Sequence, residues 1–144
     1  MAAPLAAAEL TLLSEGRSEY EIVVPDSLET PALTDSLAQT ARLLQTAFEA
    51  NGAEIEVVTE SRHDAAKPAL WLGNTQFARK NGVDVATLRD WSYVHRVVGR
   101  DVVIAGHDHA ARVTSENQRR PNWDRVGTAK GAVDFARTFL GVRF

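Results

Sequence analysis

The chain has 144 residues, 44% of them apolar and 24% charged, with 16 basic against 19 acidic side chains and a net charge of −3. That is one domain of ordinary globular composition, which excludes disordered, collagen-like and coiled-coil classes. It lacks the basic surplus of a nucleic-acid binder. No apolar run reaches the roughly eighteen residues that a membrane helix needs. The absence of cysteine removes disulfides, thiolate metal sites and cysteine nucleophiles.

Met1 to Glu9 is small and alanine-rich. It reads as a disordered start or as the remnant of a secretory signal whose basic start and apolar middle are missing. The second reading makes the protein extracytoplasmic, secreted or periplasmic. Leu10 to Leu13 reads as a short strand and Ser14 to Ser18 as a turn. Glu19 to Val24 alternates, with Tyr20, Ile22 and Val24 on one face, and is expected to pair with the first strand as a hairpin.

Thr30-Pro31 opens a helix with a capping hydroxyl and a first-turn proline. Leu33, Leu37, Ala41, Leu44 and Phe48 then recur at steps of four, four, three and four, forming one apolar stripe that Asn51-Gly52 ends. Glu54 to Val58 resumes strand alternation. Strand, long helix and strand predict a right-handed crossover between parallel neighbours.

Ala69 to Gly73 reads as a buried strand, Thr75 to Lys80 as a short helix closed by Asn81-Gly82, and Val85 to Leu88 as a helical turn. Trp91 to Val98 and Asp101 to Ala105 predict a hairpin, with glycine first in the two-residue loop Gly99-Arg100. His107 to Gly127 is polar and aperiodic, a stretch that is either functional or disordered. Thr128 is expected to cap a last helix. Its buried face would be Ala129, Ala132, Val133, Ala136, Phe139 and Leu140, and Gly141 would stop it. The expected fold is α/β, of an α+β-like kind: a mixed sheet with helices packed on one face. Residues 10–144 form the single domain. Its apolar end, Val142-Arg-Phe144, reads as cut from a longer chain.

Chemistry is sparse. His107-Asp108-His109 is a ligand-like cluster without an identifiable third ligand, and a solvated loop explains it as well. His95 sits in mid-strand, where packing or hydrogen bonding is its expected role. His63, in a polar loop, carries no signal. Neither H-E-x-x-H nor G-x-S-x-G occurs. Gly127-x-x-x-Gly131 lacks the G-K-[ST] of a phosphate loop, so Gly131 is assigned to close helix packing. Asp108, Glu116 and Asp124 share the long loop, but their spacing fixes no glycosidase pair. The loop also holds Arg112, Arg119, Arg120, Arg125 and Trp123. Trp123, between Asn122 and Asp124, would either stack on a sugar ring or anchor the loop. Trp71 reads as core and Trp91 as a sheet-edge or interface residue. The candidate contact residues, for a glycan or a neighbouring domain, are therefore Trp123, Arg119, Arg120, Arg125, His107 and Asp108. No catalytic, cofactor or metal residue is assigned.

Four patches in order resemble the small domain that precedes the catalytic barrel in microbial alpha-glucuronidases, beta-N-acetylhexosaminidases and related secreted proteins. They are Glu21-Ile-Val-Val-Pro25 with the long helix and Gly52-Ala-Glu-Ile, then Leu70-Trp-Leu-Gly-Asn-Thr75, and then Asp101-Val-Val-Ile-Ala-Gly106. The last and most specific is Gly127-Thr-Ala-Lys-Gly-Ala-Val-Asp-Phe-Ala-Arg-Thr-Phe-Leu-Gly-Val-Arg-Phe144, similar to G-T-x-x-A-V-x-x-F-L-x-x-x-G-V-R-[WF]. The resemblance spans residues 10 to 144. It implies a hexosaminidase domain-2-like fold, related to the zinc-protease fold without its metal centre. It also implies that the catalytic carboxylates sit on the barrel that follows, so none is carried over. The link between Gly106 and Gly127 is longer here than is usual in the family.

Three readings follow. The first is a non-catalytic accessory domain that packs against a downstream catalytic domain of the same chain and shapes its substrate cleft, with no cofactor, nucleic-acid partner or membrane span. The second is a stand-alone carbohydrate-binding module that uses the 107–126 loop, its arginines suiting uronic acids. The third is a small α/β enzyme with a metal at His107 and His109.

Overall fold

The computed structural model describes residues 10–28, 31–89, 91–109 and 125–142. β1 (Glu21–Val24) lies inside the sheet, and Ile22 and Val23 are both fully buried although they point to opposite faces. Both of its edges are taken. It pairs in parallel with β2 (Glu56–Thr59), from Glu21↔Glu56 to Val24↔Thr59, and with β3 (Ala69–Leu72), from Glu21↔Ala69 to Val23↔Trp71. No edge is left for the expected hairpin. Residues 10–13 form no strand, and an isolated bridge between Ser14 and Arg17 closes the turn there. Leu10, Leu12 and Leu13 instead contribute side chains to the core.

β1 and β2 are parallel neighbours joined through a long helix, as predicted. α1 (Pro31–Ala50) begins at its proline and buries Leu33, Leu37, Ala41, Leu44 and Phe48 in one stripe. Gly52 takes a φ of +82° at its end. Asn51 donates through its side-chain amide to the carbonyls of Ala47 and Leu140, at 2.9 and 3.0 Å, and so ties the end of α1 to the end of the last helix. Thr30 lies outside the described residues.

α2 (Gln76–Lys80) follows β3, and a 3-10 turn (Val85–Thr87) follows α2. β4 (Tyr93–Val98) and β5 (Asp101–Gly106) form the predicted hairpin, in register from Tyr93↔Gly106 to Val98↔Asp101. Gly99 has a φ of +61° at the first loop position. The strand order is β2-β1-β3-β5-β4, all parallel but β4. A two-residue ladder of β6 (Asp108–His109) and β7 (Arg125–Val126) leads into α3 (Gly127–Phe139).

α1 and α3 cover one face, over Ile22, Leu70, Leu72, Val102 and Ile104. The other face is not bare. Trp71 has the opposite parity to Leu70 and Leu72, so it points away from α1 and needs its own cover. Phe77 of α2 stacks on it at 4.3 Å and 6°, and Ala78, Val83 and Val85 complete a second cluster with Val23, Ala69, Val103 and Ala105. The expectation of helices on one face holds for the two long helices and fails for α2.

α3 is also turned from its expected orientation. Phe135 is buried, while Phe139, expected inside, is 58% exposed. The helix approaches the sheet where it has least side chain. A Cβ on Gly131 would stand 3.0 Å from the Tyr93 ring, so the buried stripe runs through Thr128, Gly131, Ala132, Phe135 and Ala136.

Two glycine substitutions separate space from backbone conformation. A Cβ on Gly106 would lie 2.4 Å from the Gly127 carbonyl carbon and 2.6 Å from the Ser92 oxygen, both backbone atoms. Gly106→Ala should cost about 3 kcal/mol or more in urea denaturation. Nothing lies near a Cβ on Gly99, so Gly99→Ala should cost only the left-handed penalty of about 1 kcal/mol.

Candidate functional site

β1 leads to α1 on one face and β3 leads to α2 on the other. The loops after these adjacent parallel strands therefore diverge at their carboxyl ends, the place where open α/β sheets take their ligands. Most of its polar groups are matched within the chain. Glu60 accepts from the amides of Gln76 and Phe77, both at 2.9 Å, and the Thr75 hydroxyl accepts from Ala78 N–H at 3.1 Å, so the start of α2 is closed. Asp26 Oδ1 accepts from the Ser61 amide at 3.0 Å and the Ser61 hydroxyl at 2.8 Å, joining the loop after β1 to the turn after β2. These bonds, the amide first, hold the Asp26 carboxyl below its ordinary pKa. The exception is Asn74, whose side-chain oxygen is buried without a partner. Beside it, Gly73 has a φ of +78° and comes so close to α1 that a Cβ would stand 3.1 Å from Leu37.

The His107-Asp108-His109 cluster lies at the carboxyl end of β5, where its described side chains are engaged structurally. Asp108 Oδ1 accepts from the Thr128 amide at 2.9 Å, and Oδ2 from the Thr128 hydroxyl at 2.5 Å. That hydroxyl in turn accepts from Gly106 N–H at 3.0 Å. Asp108, not Thr128, caps α3, and Thr128 links the cap to the end of β5. The expectation of a helix capped by Thr128 is corrected accordingly, because a carboxylate from a preceding strand reaches the Thr128 amide in the first turn. His107 donates from Nδ1 to the Leu88 carbonyl at 3.0 Å. The backbone of His109 pairs with that of Arg125. Trp123, Arg119 and Arg120 lie outside the described residues, as do Arg112, Glu116 and Asp124. Among the described residues no group of three His, Cys, Asp or Glu side chains is arranged to hold a metal ion, and no helix is long and apolar enough to cross a membrane.

His95 has the role expected of it, donating from Nε2 to the Gly131 carbonyl at 2.8 Å. Tyr93 donates its hydroxyl to Asp134. That bond, with desolvation behind it, raises the phenol pKa.

One constellation escapes a reading of the sequence. Glu21 is only 4% exposed. Its Oε1 accepts from His63 Nδ1 at 2.8 Å and from the Asp64 amide at 3.0 Å. The His63 ring stands edge-on to Trp71 at 4.9 Å and 71°, and Trp71 Nε1 is buried without a partner. Period-two alternation points Glu21 away from Ile22, and a one-sided sheet would leave it in water. The available signal was Val23 and Trp71. Two apolar residues of the same parity mark that face as covered, and a carboxylate there needs donors.

No family model, curated protein or solved structure matches the chain.

Thr128→Val should cost about 2 kcal/mol, because it strands the buried Gly106 amide, whereas Thr128→Ser keeps both bonds and should lose under about 1 kcal/mol. Urea denaturation compares them. Asp26 gives a test in pH. With a folded pKa below the unfolded one, its contribution is complete above the ordinary carboxylate pKa and is lost as pH falls through the folded value. Asp26→Asn should flatten the acid side of the stability curve, read by denaturation between about pH 2 and 5.

Proposed function

We propose that this chain is a non-catalytic accessory domain of a carbohydrate-active enzyme and packs against a following catalytic barrel in the same polypeptide. One observation carries the reading. The most specific part of the resemblance, opening at Gly127-Thr128, serves packing rather than chemistry. Thr128 joins Gly106 to Asp108, and neither Gly106 nor Gly127 has room for a side chain. Gly131 lies against Tyr93. A sequence signature of this kind belongs to a module that must fold around a fixed junction, and it asks for no nucleophile, acid or base.

The element order supports the finer reading of a hexosaminidase domain-2-like fold, zincin-like without a metal site: strand, long helix, two further strands, a hairpin and a closing helix, on a sheet with one antiparallel strand at its edge. In this reading the sugar chemistry belongs to the neighbouring barrel, where catalytic carboxylates would sit at strand ends. β6 follows β5 directly at the carboxyl edge of the sheet, and in this reading that edge faces the neighbour's cleft. The same reading places the protein outside the cytoplasm, secreted or periplasmic.

The test is an assay of the pure chain against a panel of aryl glycosides, with tryptophan fluorescence followed during titration with oligosaccharides. The expected result is no turnover above buffer and no fluorescence shift at millimolar sugar. Turnover abolished by one Asp or Glu substitution would make the chain an enzyme. A shift lost in Trp123→Ala would make it a carbohydrate-binding module.

A further inference from the structure

β2 is an outer strand of the sheet. It pairs with β1 only, and among the described residues nothing pairs with the backbone groups on its other side. Free edges are commonly blunted by proline, lysine or a bulge. β2 reads Glu-Val-Val-Thr in unbroken register with β1 and carries none of these, and its Val57 is 37% exposed.

At the amino end of that edge lies a cavity of about 420 Å³. Its charged lining is Glu19, Glu21, Glu49, Glu54 and Glu56 against one basic side chain, Lys67. Glu19 is paired with Arg100 at 2.7 Å. Glu49, Glu54 and Glu56 are exposed, and among the described residues they have no ion-pair partner. Glu21 is different in kind. It is nearly buried, and both bonds that it accepts, from His63 and from the Asp64 amide, go to Oε1. Oε2 accepts none from a described residue. It is not one of the buried polar atoms without a partner, so it opens to solvent. A nearly buried carboxylate with one oxygen unmatched calls for a donor. Glu56 lies beside it, in register on the neighbouring strand and on the same face, and two carboxylates so placed repel unless a cation joins them.

We infer that the β2 edge and this cavity together bind an extended basic segment of a partner protein. The segment adds as a strand along β2, and one of its lysine or arginine side chains enters the cavity and donates to Glu21 Oε2 and Glu56. In strand addition the main-chain bonds give affinity, and a pocket for alternate side chains gives specificity. Charge selects this occupant. A second copy of the chain would bring its own Glu54 and Glu56 to the same edge, like charge against like. A small amine would fill the cavity and leave Val57 and the edge uncovered. Among the described residues no group of three ligands is arranged for a metal ion. The inference stands apart from the accessory-domain reading.

Fluorescence anisotropy tests it, with the 144-residue chain and a short fluorescein-labelled peptide of alternating lysine and valine. The peptide should bind, and Glu56→Lys should weaken it about tenfold or more. Glu54→Lys should act in the same direction, and thermal unfolding checks that both variants fold. Asp35→Lys makes a like change of charge at an exposed position near the other end of α1 and should leave binding unchanged. Of two peptides N-methylated on alternate amides, one turns its methyl groups toward β2 and should bind about tenfold more weakly than the other. No binding at millimolar peptide, or equal weakening in Asp35→Lys, would overturn the site. Equal binding of the parent and both methylated peptides would overturn strand addition. Spermine binding as tightly as the peptide, with the same loss in Glu56→Lys, would make this a polyamine site and overturn the protein partner.

Discussion

β5 and α3 meet so closely at Gly106 and Gly127 that a methyl group on either would collide with backbone. Contacts of this kind leave nothing to adjust, because packed interiors are dense and backbone atoms cannot rotate away. The approach brings the Gly106 amide within reach of the Thr128 hydroxyl, and the Asp108 carboxylate closes the chain of bonds onto the Thr128 amide in the first turn of α3. α3 is thereby set at one height and one rotation on the sheet. Gly131 then meets Tyr93, Phe135 turns inward and Phe139 turns out. The groove between Trp91 and α3 follows from that rotation.

The far face of the sheet obeys a different rule. It is covered by short elements only, and a carboxylate is buried within it. A buried charge is tolerated when donors surround it. Glu21 has two, from consecutive residues of the turn after β2. His63 then leans on Trp71, and Trp71 on Phe77. A polar pair and an aromatic stack thus hold the segments after β2 and β3 together across the sheet. Among the described residues the two buried side-chain polar atoms without partners, Trp71 Nε1 and Asn74 Oδ1, sit in β3 and immediately after it.

Much of the architecture was legible in the sequence. The stripe from Leu33 to Phe48, the cap at Asn51-Gly52 and the hairpin loop at Gly99-Arg100 each rest on local chemistry, and local chemistry is what a sequence displays. The failures share a physical origin. Residues 10–13 alternate like a strand, but strand formation depends on a free partner edge, and β1 has none left. Phe139 has helical spacing for burial, but the rotation of α3 follows from where its glycines allow contact. Asp108 belongs to a histidine-rich motif, yet its role follows from a helix start twenty residues later in the chain. His63 and Glu21 are 42 residues apart, and only the sheet brings them together. As for the site, the residues that looked most chemical, His107 and Asp108, are engaged by backbone and by the α3 cap.

The central claim is that the β5–α3 junction is a structural lock that needs only its own residues. The most direct measurement is amide hydrogen exchange at Gly106 and Thr128 in a chain whose residues 111–123 are replaced by a short glycine-serine link. The account predicts that both amides stay among the slowest in the protein, as in the unaltered chain, because the bonds that protect them lie wholly within Gly106, Asp108 and Thr128. Exchange at the rate of exposed amides after the replacement would contradict it, and would make the excursion itself the element on which the fold depends.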